Sequence, residues 1–355
     1  MPSHLEWLVS LSPWPEEFGL GRMHALLAEL GDPQRAFPAI HVVGTTGKST
    51  ATRRAAAFLA REGLSVGAYT SPHVSGWSER MQVDGEDADL EPALERVREP
   101  AERLRATQFE VLTAAAFAEF AAARVDVAVV EAGLGGRLDA TNVLDARVVA
   151  LTNVGLDHTD VLGETREQIA AEKLAVLSPG ATLVSGEPEW GGIHADDVGR
   201  AAAEAFLGHA LDGDVEISLP GRFDIVGEDV FAGAHNPAGV EWLLPRLPRG
   251  DYVVVASILE DKDAAAMLCL LGHAGRSFVA TASTSARALD ADELARIAAP
   301  FFDLVGAVTD PEEALARARE LAGPEGAVLV TGSLYLLADL SVRPNRIPWE
   351  SSARG

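Results

Sequence analysis

The strongest constraint on the fold is a glycine-containing loop between an apolar segment and a helical segment. Residues 37–43 are mostly apolar and predict a buried strand, and residues 51–62 predict a helix. Residues 41–50, at the junction, read His-Val-Val-Gly-Thr-Thr-Gly-Lys-Ser-Thr. Backbone N–H groups in such a loop, together with the positive end of the following helix, hold polyphosphate. The segment therefore predicts a nucleotide site.

This phosphate loop, residues 44–50, is shorter than the common Walker loop, in which a longer spacer separates the first glycine from the Gly-Lys pair. Its lysine would reach the β- and γ-phosphates, and one of the hydroxyl side chains after it would lie near Mg²⁺. The predicted ATP-binding residues of the loop are Gly44, Thr45, Thr46, Gly47, Lys48, Ser49 and Thr50.

Composition is typical of a cytoplasmic protein that binds neither membranes nor nucleic acid. The 355 residues suffice for two domains. No apolar run is long enough to span a membrane, and the N-terminal residues do not resemble a signal peptide. The net charge of −24 repels nucleic acid and anionic membranes. The single cysteine, Cys269, suits a reducing compartment and is expected to be buried, because residues 267–271 are apolar.

Alternating strand and helix patterns predict an α/β fold with a mostly parallel sheet. In the first part of the chain the predicted strands cover residues 37–43, 65–69, 125–130, 148–152 and 181–185. After a linker at residues 219–223 the pattern restarts, with predicted strands over residues 229–234, 252–258, 277–280 and 327–331. This restart predicts a second, smaller doubly wound domain.

Polar residues follow several predicted strands at their carboxyl ends, where open α/β sheets bind ligands. Glu131 ends one strand and precedes the glycine-rich residues 132–142. A carboxylate at the end of a strand that faces a phosphate loop is an arrangement that holds Mg²⁺. The alternatives for Glu131 are a helix cap or a salt bridge, and the density of glycine after it favours the functional interpretation.

Taken together, these segments resemble the folylpolyglutamate synthase / dihydrofolate synthase family within the Mur-type ATP-dependent ligases. The matching segments stand in the family's order over nearly the whole chain: 20–23, 41–50, 69–73, 79–80, 109–110, 131–142, 156–159, 172–173, 186–188, 220–223, 234–237, 261–263 and 331–335. The resemblance implies a P-loop-containing ATPase domain over residues 1–221. It also implies a smaller Rossmann-like, glutamate-ligase domain over residues 222–342, and a tail over 343–355.

The resemblance implies an ATP-dependent ligase that joins L-glutamate to dihydropteroate, to a reduced folate, or to both, through an acyl phosphate. It implies two Mg²⁺ sites with Ser71, Glu131 and His158 as ligands, although Mg²⁺ prefers oxygen to imidazole. The alternative for His158 is a hydrogen-bonded loop histidine. Lys173 matches a lysine that carries a CO₂-derived carbamate, which would replace a cation by an anion able to hold metal. A monomer is expected.

Further site residues also come from the resemblance. The implied catalytic residues are Lys48, Lys173 and His235, and the implied ATP contacts outside the phosphate loop are Arg222 and Asn236. The implied folate-binding residues are Ser10, Leu11, Ser12, Thr107, Gln108, Phe109, Glu110, Leu138, Asp139 and Ala140. Asp139 could equally cap the glycine turn.

Two nucleoside contacts of the family are missing from this chain. Ala232 stands where the family has an Asp that holds the ribose, and residues 187–221 contain no Asn to meet adenine. Loss of such a hydrogen bond costs roughly 1.5–3 kcal/mol. A catalytically weak paralogue that only binds folate or nucleotide is therefore one alternative, which the retained lysines and metal ligands oppose. A P-loop kinase or NTPase is the other, which the second α/β domain opposes.

Overall fold

The computed structural model describes residues 3–13, 15, 18–217, 219–248 and 250–340. They form two units, one from the described residues of Met1–Pro72 and Trp77–Ile217, the other from those of His73–Gly76 and Ser218–Arg346. The predicted fold class, two successive α/β regions with mostly parallel sheets, is confirmed. The tail over residues 343–355 lies outside the described residues. The functional assignment of the predicted domains stays a prediction.

The first unit contains an eight-stranded sheet in the order β4-β3-β2-β5-β1-β6-β7-β8. Its strands are β1 (Ala39–Val43), β2 (Val66–Tyr69), β3 (Met81–Val83), β4 (Glu86–Asp87), β5 (Val127–Glu131), β6 (Ala146–Leu151), β7 (Thr182–Ser185) and β8 (Ile193–His194). Its helices are α1 (His4–Ser10), α2 (Gly21–Glu29), α3 (Lys48–Arg61), α4 (Leu90–Leu104), α5 (Gln108–Ala123), α6 (Thr159–Leu162), α7 (Arg166–Leu174) and α8 (Val198–Leu207). Only the pairs β2–β3 and β3–β4 are antiparallel.

The second unit contains a six-stranded sheet in the order β13-β12-β11-β14-β10-β9, in which only β9–β10 is antiparallel. Its strands are β9 (Asp224–Val226), β10 (Asp229–Phe231), β11 (Val253–Ala256), β12 (Ser277–Ala280), β13 (Leu304–Ala307) and β14 (Val328–Thr331). Its helices are α9 (Pro237–Leu243), α10 (Ala264–Leu271), α11 (Ala291–Ala298), α12 (Pro311–Ala322) and α13 (Leu334–Asp339). Within the described part of the chain, none of the helices combines the length and the apolar character of a membrane span.

The central strand β1 is buried on both faces, as expected of a parallel sheet covered by helices. Ile40 and Val42 pack with Phe58 of α3 in one apolar cluster. Because successive side chains of a strand alternate between faces, His41 points to the opposite face. That face carries the cluster formed by α1, α2, α4 and α5. The strand thus delivers the phosphate loop from a rigid core.

Two local predictions from the sequence are wrong. The charged residues 89–105 predict a helical segment that Pro92 and Pro100 interrupt, yet α4 runs through both prolines. Pro92 lies in the first turn, where its missing N–H is no loss, and Pro100 is carried by the buried stripe that contains Leu94 and Val97. Cys269 is exposed, because the buried stripe of α10 is formed by other side chains of that helix.

Five strands escaped prediction: β3, β4, β8, β9 and β13. All are short, and all five lie at or next to the edges of the sheets. Too few residues alternate in such segments for a hydrophobic pattern to stand out from a loop. Their pairing depends on the sheet that is already present.

Candidate active site

The phosphate loop follows β1 and leads directly into α3, as predicted. Gly44 has φ +151° and Gly47 has φ +78°, both in the region that favours glycine. A Cβ added to Gly44 would lie 1.8 Å from Thr152 Oγ1. The loop therefore needs glycine at its first position for space as well as for conformation.

Thr152 and Asn153, which directly follow β6, hold the phosphate loop by hydrogen bonds. The N–H of Thr45 donates to the carbonyl of Asn153 at 3.0 Å, and the N–H of Thr46 donates to Asn153 Oδ1 at 3.0 Å. Thr152 Oγ1 donates to the carbonyl of Thr46 at 2.7 Å. Sequence reasoning assigned no role to Asn153, although a polar residue at the carboxyl end of a parallel strand was a usable signal.

The N-terminus of α3 has no side-chain cap, since its N-cap residue is Gly47. Most other long helices of this unit have a side-chain cap. Asp89 caps α4, for example, and Thr107 caps α5. An uncapped helix N-terminus presents N–H groups and a partial positive charge, which suits an anion. Thr50 is exposed in the first turn.

Two lysines contact the backbone of the phosphate loop. Lys48 Nζ donates to the carbonyl of Thr45 at 3.3 Å, and Lys173 Nζ donates to the carbonyl of Gly44 at 2.8 Å. Both predicted catalytic lysines of this unit therefore lie at the same loop. One comes from the start of α3 and the other from the last turn of α7.

Burial, and to a smaller extent the positive charge of Lys48, lower the pKa of Lys173 to about 7. The negative charges of Asp157 and Asp139 oppose this shift. The Lys173 amine is therefore much more readily neutral near pH 7 than an exposed lysine is. A neutral amine is a nucleophile and can react with CO₂, whereas an ammonium cannot.

The buried carboxylate of Glu131 is the centre of a small oxygen-rich site. Its side chain ends β5 and is only 2% exposed. Ser49 Oγ donates to Glu131 Oε1 at 3.1 Å, and the N–H of Ser71 donates to Glu131 Oε2 at 3.1 Å. The structure thus brings together two predicted metal ligands and one hydroxyl of the phosphate loop. Carboxylate and hydroxyl oxygens are donors that Mg²⁺ accepts.

His158 lies at the N-terminus of α6 and has φ +51°. Its Nε2 atom is 3.9 Å from Asp157 Oδ1. In the described part of the chain, no three His, Cys, Asp or Glu side chains converge as a preformed metal cage. A cation at these residues would therefore rely on hydroxyls, water and substrate phosphate, which is the usual pattern for Mg²⁺.

The second glycine loop, residues 132–142, is closed by its own carboxylate. Asp139 Oδ1 accepts from the N–H of Thr141 at 3.0 Å and from Thr141 Oγ1 at 2.5 Å. Asp139 Oδ2 accepts from the N–H of Leu134 at 2.8 Å, and the N–H of Gly133 also donates to this carboxylate. Burial raises the pKa of Asp139, and these donors oppose the rise. The contacts fit the alternative in which Asp139 caps the glycine turn.

The predicted folate-binding segments of the N-terminus and α5 are neighbours. The N–H of Gln108 donates to the carbonyl of Ser12 at 2.9 Å. The ring of Phe109 lies 6.2 Å from that of Tyr69, centroid to centroid. A Cβ added to Gly133 would lie 2.6 Å from Phe109 Cζ, so the ring rests on the second glycine loop. The ring of Phe109 thus links α5 to the second glycine loop, and both carry predicted folate-binding residues.

Glu110 is already engaged by neighbouring groups. Arg22 Nε donates to Glu110 Oε2 at 2.8 Å, and the N–H and hydroxyl of Thr107 donate to the same oxygen. Thr107 and Glu110 form the capping box of α5. These contacts fix the start of α5, and a folate contact by Glu110 stays a prediction.

The other predicted folate residues are placed as follows. Ser10 ends α1 and donates to a backbone carbonyl of the same helix. Leu11 and Ala140 pack into the core on this side of the sheet. Leu138, by contrast, is 47% exposed on the second glycine loop and is available to a ligand.

Arg53 is a residue of this region that sequence reasoning missed. It is buried in α3, and its Nη2 atom donates to Thr70 Oγ1 at 3.1 Å and to the carbonyl of Glu79. Thr70 immediately precedes the predicted metal ligand Ser71. An arginine at a core-facing position of an alanine-rich helix was the available signal.

Three predicted site residues lie in the second unit. His235 Nδ1 is 2.9 Å from the carbonyl of Gly233. Asn236 is buried and caps α9, accepting from the N–H of Gly239 at 2.8 Å. Arg222 is half-buried in the turn before β9. The side-chain oxygen of Asn236 thus has a structural partner, and its role toward ATP stays a prediction.

Ala232, which stands where the family has an Asp, is 1% exposed and belongs to the apolar core of the second unit. Its N–H donates to the carbonyl of Val330. The methyl side chain of Ala232 offers no hydrogen bond to a ribose. The contact that the family's Asp would make is therefore missing at this position.

Comparison with known proteins decides the family. The model of the Mur ligase middle domain matches residues 42–184, and that of the Mur ligase, glutamate ligase domain matches residues 221–334. The dihydrofolate synthase/folylpolyglutamate synthase of Mycobacterium tuberculosis is 32% identical over 81% of this chain and 80% of its own length. This chain belongs to the folylpolyglutamate synthase/dihydrofolate synthase family. The family predicted from the sequence motifs is confirmed.

Other members of the family differ in length and in what they bind. A probable bifunctional folylpolyglutamate synthase/dihydropteroate synthase of Halobacterium salinarum is 33% identical over 90% of this chain, which spans 49% of that relative. Mycobacterium tuberculosis folylpolyglutamate synthase complexed with ADP has a TM-score of 0.86 and 30% identity, with 96% of this chain and 98% of that chain covered. A bifunctional folylpolyglutamate synthase/dihydrofolate synthase with Mn, AMPPNP and L-glutamate bound has a TM-score of 0.81 and 28% identity, with 96% and 97% covered.

Proposed function

We propose that the chain joins the amine of L-glutamate to the carboxyl group of dihydropteroate, of a reduced folate, or of both, with ATP as the energy source. This reaction class, ATP-dependent ligation of glutamate to a folate-type acid, is that of the family to which the chain belongs. The single observation that carries the proposal is the phosphate loop with its uncapped helix, two lysines and the Glu131–Ser49 pair. The binding-only alternative is not favoured, because a protein that only binds has no need of this apparatus.

The reaction has two bond-forming steps. An oxygen of the acceptor carboxylate attacks the γ-phosphorus of ATP, an O–P bond forms, the bond to the β-phosphate oxygen breaks, and ADP leaves. The glutamate amine then attacks the acyl carbon, a C–N bond forms, the bond to phosphate breaks, and the amine loses a proton. Both reactants of the first step are anions, so the protein must offset their repulsion.

The N-terminus of α3 and Lys48 can do this work. No side chain caps the N–H groups of the first turn, so they can bind the β- and γ-phosphates, and Lys48 adds a full positive charge. The supports from Asn153 hold the loop before ATP arrives. Groups held in advance cost no reorganisation during the reaction.

The oxygen donors around Glu131 fit a divalent cation, and we assign Mg²⁺ to them. Glu131, Ser49 and Ser71 would hold the first ion, and His158 would contribute to a second. When bound, the cation would supply positive charge beside the transferred phosphoryl group. Mg²⁺ prefers oxygen ligands to the imidazole nitrogen that His158 offers. His158 is therefore the ligand to test first.

We also assign a CO₂-derived carbamate to Lys173. The lysine lies within hydrogen-bond distance of the phosphate loop, and burial lowers its pKa to about 7. Its amine is thus available to CO₂ at neutral pH. Carbamate formation would remove a positive charge that lies close to Lys48 and place two oxygens beside the loop.

On the acceptor side, the exposed Leu138 and the ring of Phe109 are the groups best placed to contact a flat pterin. Both lie on or against the second glycine loop. Arg222, His235 and Asn236 of the second unit are assigned to ATP and glutamate by the family pattern alone. A monomer remains the expected state.

One assay tests the reaction. Purified protein receives ATP, Mg²⁺ and L-glutamate, first with dihydropteroate and then with a reduced folate, and phosphate release is measured. Release that requires both acceptor and glutamate supports the ligase. Release without glutamate would indicate a kinase or NTPase instead, and no release under any condition would indicate a binding protein.

The carbamate has its own test. Lys173→Ala should abolish turnover and leave the circular-dichroism spectrum unchanged, and a short carboxylic acid such as acetate should restore part of the activity. A ¹³C NMR signal of a carbamate should appear in wild-type protein equilibrated with ¹³C-bicarbonate and be absent from Lys173→Ala. Near-normal turnover of the variant, or no such signal in the wild type, would remove the carbamate from the proposal.

A further inference from the structure

A chain of three buried side chains links β1 to the second glycine loop. His41 Nε2 lies 2.8 Å from Thr141 Oγ1, and Thr141 Oγ1 lies 2.5 Å from Asp139 Oδ1. His41 and Thr141 are both fully buried, at 0% exposure. The pair His41–Thr141 is 100 residues apart in the sequence. Neither residue has a place in the mechanism described above.

The direction of the hydrogen bonds follows from the number of protons available. Thr141 has one hydroxyl proton, and it points to the short contact with the Asp139 carboxylate, which accepts only. His41 Nε2 must then donate to the Thr141 oxygen. Burial lowers the pKa of His41 to about 4, so the ring is neutral and carries one proton. His41 Nδ1 has no hydrogen-bond partner among the described residues, which agrees with a proton on Nε2.

The network holds the loop on which the acceptor residues depend. Asp139 fixes the N–H groups of Gly133 and Leu134, and Gly133 carries the ring of Phe109. Leu138 is exposed immediately before Asp139. A change in Thr141 or His41 would therefore move Phe109 and Leu138. The phosphate loop, by contrast, receives its direct hydrogen bonds from Thr152, Asn153 and Lys173, none of which belongs to this network.

We propose that His41 and Thr141 are positioning residues for the folate-type acceptor, which act by orienting Asp139 and thereby fixing the second glycine loop beneath Phe109. This inference rests on the proposed ligase function. It assigns a role in acceptor binding to two residues that contact neither substrate. It also explains why a histidine stands in the centre of an otherwise apolar strand.

Thr141→Val tests the proposal, with Thr141→Ser as the matched control. Valine keeps the shape but removes the proton that Asp139 receives, whereas serine keeps the hydroxyl. Thr141→Val should raise the KM for dihydropteroate by about tenfold or more and leave the KM for ATP within about twofold. Thr141→Ser should restore the wild-type KM for dihydropteroate. An unchanged KM for dihydropteroate in Thr141→Val, equal changes for both substrates, or no rescue by serine would overturn the proposal.

A spectroscopic measurement on the wild type does not depend on whether a variant folds. In protein labelled with ¹⁵N-histidine, one imidazole should show a protonated Nε2 in slow exchange and an unprotonated Nδ1 at pH 7. This resonance should be absent from His41→Gln and displaced in Thr141→Val. A His41 ring protonated on Nδ1, or on both nitrogens, would contradict the hydrogen-bond direction and overturn the proposal.

Failure of the proposed ligase function can be told apart from failure of the positioning role of His41 and Thr141. If wild-type protein releases no phosphate with glutamate and either dihydropteroate or a reduced folate, the proposed function fails. Binding of dihydropteroate to wild type, Thr141→Val and Thr141→Ser, measured by calorimetry, then replaces the KM as the test. Tight binding to wild type and serine with about tenfold weaker binding to valine would still support the positioning role, and equal binding to all three would overturn it.

Discussion

The first unit contains two glycine loops at the carboxyl edge of one sheet, and they are built in opposite ways. The phosphate loop leaves the N-terminus of α3 without a side-chain cap. In the second glycine loop, Asp139 accepts hydrogen bonds from backbone N–H groups on both sides of the turn. We call the phosphate loop the open loop, because no side chain caps the helix N-terminus at its end. We call the second glycine loop the closed loop, because its own carboxylate accepts from its N–H groups.

The difference separates a binding element from a scaffold. A helix N-terminus that no side chain caps can bind an anion directly, while the N–H groups of Thr45 and Thr46 hold the open loop to Asn153. A loop closed by a buried carboxylate is rigid and contributes through the side chains that it carries, here Leu138 and the supported Phe109. A glycine-rich loop can therefore be either a binding element or a scaffold, and the hydrogen-bond partners of its N–H groups distinguish the two.

The largest effect is expected from the open loop. Lys48→Ala should lower kcat of glutamate-dependent phosphate release by about 10²–10³-fold, because the positive charge beside the transferred phosphoryl group is lost. Steady-state kinetics with saturating ATP measures this. Arg103→Ala is the control for loss of a cation, since Arg103 is exposed in surface ion pairs, which are worth about 0–1 kcal/mol. A kcat within about twofold of wild type in Lys48→Ala would show that the open loop is not the catalytic element.

The second prediction concerns the link between β1 and the closed loop. His41 has a folded-state pKa of about 4 and an ordinary value of 6.5. Between these values the unfolded chain binds more protons, so the contribution of His41 to stability is present above pH 6.5 and is lost as pH falls to 4. The free energy of unfolding of wild type minus that of His41→Gln should therefore fall by about 3 kcal/mol over this window.

Urea unfolding followed by tryptophan fluorescence from pH 4 to pH 7 measures this difference. His209→Gln is the matched control, because the side chain of His209 is 56% exposed. A difference between wild type and His41→Gln that stays constant with pH would mean that the pKa of His41 is not lowered in the folded state. Below pH 6.5 the ring would then be charged, and the closed loop would be held by a charged imidazole and not by a neutral one.

Sequence reasoning found the open loop more easily than the closed one. The order strand, glycine, lysine and helix is a local pattern with a direct physical meaning, and the carboxylate of Glu131 ends a recognisable strand. The partners of Asn153 and Thr141 lie about a hundred residues away. Pairs so distant leave no periodicity in a single sequence, so a polar residue such as Asn153 could be noticed at the end of its strand, but its partner could not be predicted.

The same distinction applies to the fold. Long buried strands such as β1 and β5 were predicted because an apolar run bounded by polar turns is a strong signal. Edge strands were missed, since β4 and β8 have two residues each. The exposure of Cys269 was missed because an apolar helix does not reveal which of its faces packs.

A smaller effect is expected where the closed loop meets α7. A Cβ added to Gly136 would lie 2.7 Å from the carbonyl oxygens of Glu172 and Lys173, both of them backbone atoms that cannot turn away. Gly136→Ala should lower the free energy of unfolding by about 1–3 kcal/mol. Gly19→Ala is the control, because a Cβ at Gly19 meets nothing within 4 Å. Chemical denaturation compares the two, and equal stability would show that the loop can move away from α7.

The smallest effect is expected from a change of nucleobase. If the open loop provides most of the nucleotide affinity, it does so through phosphate, which ATP and GTP share. Ala232 is a buried methyl group without a hydrogen bond to offer, and residues 187–221 contain no Asn. The kcat/KM values for ATP and GTP should therefore differ by less than about tenfold, or about 1.4 kcal/mol. The two nucleotides compete in one glutamate-dependent assay, with AMP as the control that lacks the phosphates bound by the loop. A preference for ATP of about a hundredfold or more would mean that other residues of this chain recognise adenine, and that the phosphate loop is not the main source of nucleotide affinity.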